Sequence, residues 1–508
     1  MKKKNIVIVM TDDQGAWAMG CSGNCELKTP NLDRIARNGM RFENFYCASP
    51  VCSPARASFM TGKIPSSHGV HDWLAKGQIS EESLSDELKA AFEAEETEYK
   101  YIWPKHSLKG DKGVRYLDAH KTFTEVLAEN GYECGLSGKW HIGAADEKQA
   151  GFSYWSTCAI GGADYYNAVV LKDGKMEMIS GEYVTDHITD RALDFLDQRD
   201  TEKPFCLFVN YSAPHSPWAK ECHPKKYIDM YDNCPFDSIP ELPPHPWVQG
   251  ADQSFEDWKK KPHPGVRFIH ANYAPIRETW HEYRMESLRG YFAAVSAMDD
   301  SLGRILDRLE NDGLSEDTLV IFTSDNGSNM GHHGIFGKGN GTYPVNMFDT
   351  SVKVPGLFMC PGTIPAGVVT KAQASHYDVY ETVLDFAGVE FEKTADMPGE
   401  SFLSVLLGKE DLRGEDVFVY DEYGKTRMVT DGRYKLVYRY PDGPNELYDT
   451  ESDPDEYNNL YTDPAYAKTI EALTEKLKSW FSQYVNPELD GSVEDVRGAG
   501  QITSHSFC

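Results

Sequence analysis

Short apolar runs that alternate with amphipathic helices limit most strongly how this chain can fold. Three of the runs, residues 5–10, 204–210 and 318–322, are rich in β-branched or aromatic side chains, as strands buried on both faces are. The clearest amphipathic helix covers residues 285–310. This alternation predicts an α/β fold in which a large mixed, mostly parallel sheet is sandwiched by helices.

The last hundred or so residues have a different pattern. Short alternating runs are joined by tight turns, such as the one at Asp431-Gly432, and a helix over residues 465–484 follows them. The pattern predicts an antiparallel sheet with one helix packed on it. We therefore expect a large α/β domain at residues 1–400 and a smaller C-terminal α+β domain at residues 410–508. The boundary between them is expected in the region 395–412.

Two stretches with little periodicity, residues 76–121 and 218–280, are expected to be insertions into the large domain. The first stretch begins as an acidic, helix-prone segment, which favours a solvated surface helix.

Composition excludes several classes of partner. The net charge is −28, from 51 basic and 79 acidic residues, which argues against nucleic acid or an anionic membrane surface as a main partner. The apolar run at residues 6–10 is too short for a signal peptide, and no run approaches the length of a membrane span. The 11 cysteines are scattered and odd in number, so a reducing, cytoplasmic location is expected.

Polar groups directly follow several of the predicted strands. They are Asp12 with Asp13, Lys139 with His141, His215, and Asp325 with Asn326. Because ligands of parallel sheets bind at the carboxyl ends of the strands, we expect these side chains to meet there. The aspartates and Asn326 offer oxygen atoms, which suit a hard cation such as Ca²⁺ or Mg²⁺.

The stretch around Cys52 predicts a nucleophile or an anion site. Pro54 suits the first turn of a helix, with Ser53 as its N-cap and Gly62 at its end. Cys52 would then lie at the positive end of the helix, with Arg56 one turn along. The alternative is a buried thiol beside a structural arginine.

These residues resemble the type I sulfatases of the alkaline-phosphatase superfamily. Cys52-Ser53-Pro54-Ala55-Arg56 resembles the family's C-x-P-x-R signature, and residues 138–143 (Gly-Lys-Trp-His-Ile-Gly) resemble its second signature. Other elements follow in the family's order, namely Asp12-Asp13, Pro214-His215, Asp325-Asn326, Lys338-Gly339, and the C-terminal runs 433–436 and 445–449. The resemblance covers nearly the whole chain.

The resemblance implies a sulfuric ester hydrolase that removes sulfate from the end of a sulfated mono- or oligosaccharide, such as a glycosaminoglycan fragment. In the family, a separate maturation enzyme oxidises the signature cysteine to formylglycine, so Cys52 is implied to be the precursor of an aldehyde hydrate. One hydroxyl of the hydrate, bound to Ca²⁺ or Mg²⁺, attacks sulfur. The implied metal ligands are Asp12, Asp13, Asp325, Asn326 and the group made from Cys52.

The resemblance also implies roles for the basic side chains. Lys139 and Lys338 hold the sulfate oxygens and stabilise the charge of the transition state. His215 protonates the departing alcohol oxygen, and His141 takes a proton from the second hydroxyl, which expels sulfate and restores the aldehyde. Arg56 orients the diol.

Departures from the family pattern concern the substrate pocket. Ala55 stands where serine is common, Met60 where leucine is frequent, and the run after Lys338 differs from the usual Tyr-Glu-Gly-Gly. Residues 71–73 (His-Asp-Trp) and the two insertions are the candidate substrate-recognition elements.

Two other functions stay open from the sequence. A phosphonate monoester or phosphodiester hydrolase of the same superfamily would need the same metal and diol. A non-catalytic anion- or sugar-binding protein would come from another class, but every expected catalytic residue is present. Association into oligomers is compatible with the sequence.

Overall fold

The computed structural model describes most of the chain, in the ranges 3–74, 76–94, 112–162, 164–248, 280–409, 416–421, 425–494, 496–497 and 501–502. The described strands are, in chain order, β1 (Asn5–Thr11), β2 (Met40–Tyr46), β3 (Glu133–Lys139), β4 (Tyr154–Cys158), β5 (Val169–Lys172), β6 (Lys175–Met178), β7 (Phe205–Asn210), β8 (Thr318–Ser324), β9 (Asn329–Met330), β10 (Phe336–Gly337), β11 (Leu357–Met359), β12 (Val368–Ser375), β13 (Val417–Asp421), β14 (Thr426–Thr430), β15 (Tyr434–Arg439), β16 (Glu446–Asp449), β17 (Val496–Arg497) and β18 (Gln501–Ile502).

The described α-helices are, in chain order, α1 (Pro30–Asn38), α2 (Cys52–Thr61), α3 (Pro65–His68), α4 (Asp86–Ala94), α5 (Phe123–Glu129), α6 (Val184–Gln198), α7 (Lys225–Asp229), α8 (Trp280–Asn311), α9 (Asp349–Val352), α10 (His376–Ala387), α11 (Leu403–Leu406) and α12 (Ala467–Tyr484).

A ten-stranded sheet in the order β12-β2-β11-β8-β1-β7-β3-β4-β5-β6 forms the centre of the fold. The five strands β8, β1, β7, β3 and β4 run parallel to one another. β11 runs antiparallel to both β8 and β2, and β5 and β6 complete the other edge as an antiparallel pair. The predicted α/β class with a mixed, mostly parallel sheet is confirmed.

Side chains alternate across β1, so both faces of the sheet are covered. Ile6, Ile8 and Met10 enter the apolar core on the side of α2 and α10. Val7 and Val9 enter a second core, to which α1, α6 and α8 contribute. Because both faces of β1 are shielded from water, its side chains are apolar until the strand ends. The first polar side chains after this run therefore lie at the edge of the sheet.

A separate antiparallel sheet, in the order β13-β14-β15-β16, lies in the C-terminal part of the chain. Helix α12 packs on it through Leu473, Leu477 and Phe481, which recur every fourth residue and are buried. The predicted turn at Asp431-Gly432 joins β14 to β15, and Gly432 has a φ of 95°, which favours glycine. The predicted small sheet and helix are confirmed.

The two expected insertions are only partly described, since residues 95–111 and 249–279 lie outside the described ranges, as do residues 410–412 of the expected boundary region. Within the first insertion, Leu84 and Leu88 are buried in the main core. Leu84 precedes α4, and within α4 Asp86 and Glu87 are exposed while Leu88 is buried, so α4 is a surface helix with a charged, solvated face and one leucine in the core. Among the helices that are described, none is long and apolar enough to cross a membrane.

Candidate active site

The predicted polar strand ends meet at one edge of the large sheet. Asp12 and Asp13 follow β1, and Asp325 follows its neighbour β8, where Thr11 and Ser324 pair in register. On the other side of β1, β7 ends at Asn210 and β3 ends at Lys139. The sheet alone therefore brings together groups that lie more than 300 residues apart in sequence, as the Asp13–Asp325 contact shows.

Helix α2 places Cys52 above this edge. The helix begins at Cys52 itself and Val51 is its N-cap residue, so the predicted N-cap at Ser53 is wrong by two positions. The Ser53 hydroxyl instead accepts a hydrogen bond from the Leu74 amide, at 3.2 Å. Gly62 ends the helix with a φ of 65°, as predicted. Cys52 is thus the first helical residue, at the positive end of the helix dipole.

Three buried carboxylates surround the Cys52 sulfur. One ligand atom from each of Asp12, Asp13, Asp325 and Cys52 lies within 4.8 Å of the others. The side-chain Nδ2 of Asn326 donates to Asp13 Oδ1 at 2.7 Å. The buried Oδ1 of Asn326 has no hydrogen-bond partner among the described residues. Oxygen donors in this arrangement, with one oxygen left unpaired, fit a hard divalent cation such as Ca²⁺ or Mg²⁺.

Three basic side chains balance the carboxylates. Lys139 lies 2.5 Å from Asp12, and Arg56 donates to Asp325 at 2.8 Å. Lys338 Nζ lies 2.6 Å from both Asp13 Oδ1 and Cys52 Sγ. The structure thus brings the two predicted lysines and the predicted arginine to one buried cluster, with Lys338 in contact with the candidate nucleophile.

Burial and charge set the ionisation of this cluster. Burial alone would raise the pKa of Asp325, but Arg56 and Lys139 outweigh it and hold that pKa well below its usual range. Burial and then the repulsion of Asp12 raise the pKa of the Cys52 thiol to about 12. The thiol is therefore protonated at neutral pH and is a poor nucleophile.

The two predicted histidines differ in environment. His141 is buried, and neither ring nitrogen has a hydrogen-bond partner in the described part of the chain. Burial, then Lys139 and Arg56, hold the pKa of His141 well below its usual value, so the imidazole is neutral. His215 Nδ1 donates to the Ser216 carbonyl at 2.7 Å, which leaves Nε2 facing Asp13 at 3.7 Å.

Comparisons with known proteins identify the family of this chain. The Sulfatase family profile matches residues 4–389. The chain belongs to the sulfatase family. A second profile, the C-terminal region of N-sulphoglucosamine sulphohydrolase, matches residues 331–483 of this sulfatase, a range that contains both Lys338 and the small sheet.

Relatives of this sulfatase act on different sulfate esters. An N-acetylglucosamine-6-O-sulfatase of Bacteroides thetaiotaomicron is 29% identical, covering 96% of this chain and 88% of the relative. A choline-sulfatase of Rhizobium meliloti is 28% identical, covering 91% and 83%. A solved structure of a protein bound to its substrate, D-glucosamine-2-N,6-O-disulfate, superposes with a TM-score of 0.72 at 27% identity, covering 95% of this chain and 98% of that one.

Two features of the sulfatase site were missed from the sequence. The Asn210 side chain donates to the Lys139 carbonyl at 2.9 Å, and the Tyr291 hydroxyl donates to the Asp13 carbonyl at 2.9 Å. Asn210 could have been suspected as the polar end of a buried strand, whereas nothing in the sequence around Tyr291 marks it. Both residues fix the backbone on which site residues stand.

Gly161 is a third feature that the sequence did not reveal. A Cβ atom at Gly161 would lie 2.1 Å from Cε1 and 2.4 Å from both nitrogens of the His141 ring. The next residue, Gly162, faces His215 with ordinary spacing, since its Cβ would lie 3.4 Å from the ring. The glycine at 161 is therefore required for His141 to occupy its position.

We expect Gly161→Ala to lower kcat for sulfate release about 100-fold, because a displacement of about 1 Å in a catalytic group has an effect of this size. Steady-state kinetics and a thermal melt of the same samples check this. Gly162→Ala is the matched control and should stay within about twofold of wild type, since it adds only an ordinary contact. Equal losses in both variants would contradict the special role of Gly161.

Proposed function

We propose that this sulfatase removes sulfate from the end of a sulfated mono- or oligosaccharide. One observation supports this most directly: Cys52, at the start of a helix, lies among three carboxylates and contacts the Lys338 ammonium at 2.6 Å. A sulfate ester is an anion with a poorly reactive sulfur. A site for its hydrolysis needs both a bound nucleophile and concentrated positive charge, and this cluster offers both.

We propose that Asp12, Asp13, Asp325 and Asn326 hold a divalent cation, Ca²⁺ or alternatively Mg²⁺. When bound, the cation would lower the pKa of an oxygen at position 52 and offset the charge of the sulfate. The unpaired Asn326 Oδ1 supports this ligand set.

We propose that a separate maturation enzyme converts Cys52 to formylglycine, whose hydrate supplies the nucleophilic oxygen. The match of residues 4–389 to the sulfatase family, whose signature cysteine is matured in this way, supports this. Arg56 Nε donates a hydrogen bond to Asp325, and Nη1 donates one to the Lys139 carbonyl. The buried Nη2 has no hydrogen-bond partner among the described residues. That nitrogen is available to orient the group at position 52.

The remaining roles follow from position. Lys139 and Lys338 bind sulfate oxygens and stabilise the transition state. His215, with Nε2 facing the cluster, donates a proton to the departing alcohol oxygen. His141 is neutral and unpaired, so it accepts the proton from the group at position 52 when sulfate leaves.

Residues 71–73, predicted to take part in recognition, lie beside the site. Leu74 is tied to α2 through Ser53, and the Trp73 ring lies 6.4 Å from the His141 ring, edge to face. Asp72 Oδ1 is buried and has no hydrogen-bond partner in the described ranges. Burial raises the pKa of Asp72 to about 6, and Lys338 is the charged group that acts on it. We propose that Asp72 accepts a hydrogen bond from a saccharide hydroxyl.

Asp72→Ala should lower kcat/KM for a sulfated saccharide about 10- to 100-fold, the effect of a lost charged hydrogen bond, while the rate on a small aryl sulfate stays within about threefold. The two substrates differ in the hydroxyl groups that Asp72 would bind. Asp118→Ala is the control, since that side chain is more than half exposed and pairs with Arg115. Equal losses on both substrates would show that Asp72 supports the fold of the site rather than recognition.

Sulfate release from a panel of defined esters tests the proposal. The panel should contain N-acetylglucosamine 6-sulfate, glucosamine 2-N,6-O-disulfate, internally sulfated oligosaccharides and choline sulfate. We expect turnover of a terminal sulfated sugar and little turnover of internal positions. Preference for choline sulfate over every saccharide would refute the substrate class but not the chemistry.

We also propose that the protein is located in a reducing compartment. The ten cysteines in the described ranges are all free, which supports a reducing compartment such as the cytoplasm.

A further inference from the structure

The segment that carries Lys338 is held against the small sheet by two buried basic side chains. Lys435 and Arg439 lie four residues apart on β15, so they point to the same side. Lys435 Nζ donates to the Met347 carbonyl at 2.9 Å, and Arg439 Nη2 donates to the Val345 carbonyl at 2.8 Å. Both basic side chains are buried, so these bonds are shielded from water.

Asn346 lies between the two held carbonyls and is fully buried. Its Nδ2 lies 3.1 Å from the Lys338 carbonyl and 3.0 Å from the Gly339 carbonyl. Its Oδ1 accepts a hydrogen bond from the Ser351 hydroxyl at 2.7 Å, and its backbone amide donates to Gly339 at 3.1 Å. The side chain therefore bonds directly to the residue whose ammonium contacts Cys52.

Two carboxylates fix Lys435 in turn. Asp349 Oδ1 lies 2.7 Å from Lys435 Nζ, and Glu456 also pairs with Lys435. The second Glu456 oxygen accepts from the Asp349 amide at 2.6 Å, at the start of α9. Lys353 pairs with Asp349 at 2.8 Å, so two basic and two acidic side chains pair with one another. The cluster, in which Lys435 and Glu456 are buried, is built from both parts of the chain.

The segment between Lys338 and Phe348 is also held by the burial of Val345 and Met347 in the main core and by a bond from the Tyr343 amide to the Trp247 carbonyl at 3.0 Å. Its regular structure is the single 3₁₀ turn at residues 339–341, and none of its residues belongs to a strand of either main sheet. Lys338 directly follows β10, and its carbonyl accepts two hydrogen bonds, one from the Gly341 amide at 2.9 Å and one from the Asn346 side chain.

We propose that Asn346 is a positioning residue for Lys338, and that Lys435 and Arg439 of the small sheet hold Asn346 in place. The small sheet thereby acts on the active site through this segment. The inference rests on the proposed function, in which Lys338 binds the sulfate group.

A double-mutant cycle on the matured enzyme tests this, with an activated aryl sulfate as substrate so that slow variants stay measurable. Asn346→Ala should lower kcat about 100-fold in the wild-type background, the effect of a group displaced by about 1 Å. In a Lys338→Ala background the same change should cost less than about threefold, because the group it positions is gone. Equal factors in both backgrounds, or no loss in the first, would overturn the proposal.

Hydrogen exchange of the peptide covering residues 338–348 gives a second readout that does not need activity. Asn346→Ala, the near-isosteric Asn346→Asp and Lys435→Met should each raise exchange in this peptide at least tenfold. Asn459→Ala is the matched control, since its side chain bonds within the small sheet and should leave both exchange and kcat unchanged. Unchanged exchange in all three variants would overturn the proposal. If the wild-type enzyme hydrolysed no sulfate ester, the proposed function would be refuted. The hydrogen-exchange result would still show whether Asn346 positions the segment that carries Lys338.

Discussion

Replacing Cys52 with alanine should lower sulfate release by about 10⁴-fold or more, the usual effect of losing a covalent nucleophile. The protein should remain folded, because the change removes one sulfur atom and keeps a helix-favouring residue in the first turn of α2. Binding of the divalent cation should persist, since Asp12, Asp13 and Asp325 are unchanged. Single-turnover assays, a thermal melt and equilibrium dialysis with Ca²⁺ on the same samples check these three expectations.

Cys47→Ala is the matched control, since this free thiol is also buried and stands five residues earlier in the chain. It should retain more than about half of the activity. Mass analysis of the Cys52 peptide from active wild type should show a loss of about 18 Da, the mass difference between a thiol and the corresponding aldehyde. Full activity in Cys52→Ala would mean that another group attacks sulfur.

Replacing Asp325 with asparagine should abolish turnover and destabilise the fold by about 3–5 kcal/mol, the usual cost of removing one partner of a buried ion pair. Arg56 would lose its 2.8 Å carboxylate partner, and the proposed cation would lose a ligand. Because the pKa of Asp325 is lowered in the fold, its ionised form stabilises the wild type above the usual aspartate pKa, and that stabilisation is lost only under more acidic conditions. Urea unfolding at pH 7 and equilibrium dialysis with Ca²⁺ measure both effects.

Asp317→Asn is the control for this variant. Asp317 stands directly before β8, as Asp325 stands directly after it, and it forms a partly exposed pair with Lys4 at 3.0 Å. Exposed pairs contribute about 0–1 kcal/mol, so activity and metal binding should not change. Retention of cation binding and activity by Asp325→Asn would exclude Asp325 as a ligand.

Much of the large sheet follows from the sequence because its central strands are buried on both faces. The runs at 5–10, 204–210 and 318–322 appear as β1, β7 and β8, which are neighbours in the sheet. A strand in a dry environment must be apolar to its end, so the first polar residues mark the edge where ligands bind. The strand order and the antiparallel β11 could not be predicted, because they depend on pairing between distant segments.

The candidate site also has features that could be predicted from the sequence and features that could not. The groups at the strand ends and at α2 were predicted because each belongs to a short motif. The close approach of Gly161 to His141, and the bonds from β15 to the Lys338 segment, arise only when distant parts of the chain pack together. The start of α2 was misplaced because serine at position 53 is a good N-cap, yet Val51, in an extended conformation, takes that position.

Side-by-side assays of the matured wild-type enzyme test the central claim most directly. Sulfate release from defined sulfated saccharides would be compared with hydrolysis of a phosphonate monoester and a phosphodiester, each as kcat/KM. We predict that at least one terminal sulfated saccharide is hydrolysed more efficiently than either phosphorus ester. A phosphodiester or phosphonate hydrolysed more efficiently than every sulfate ester would contradict the account.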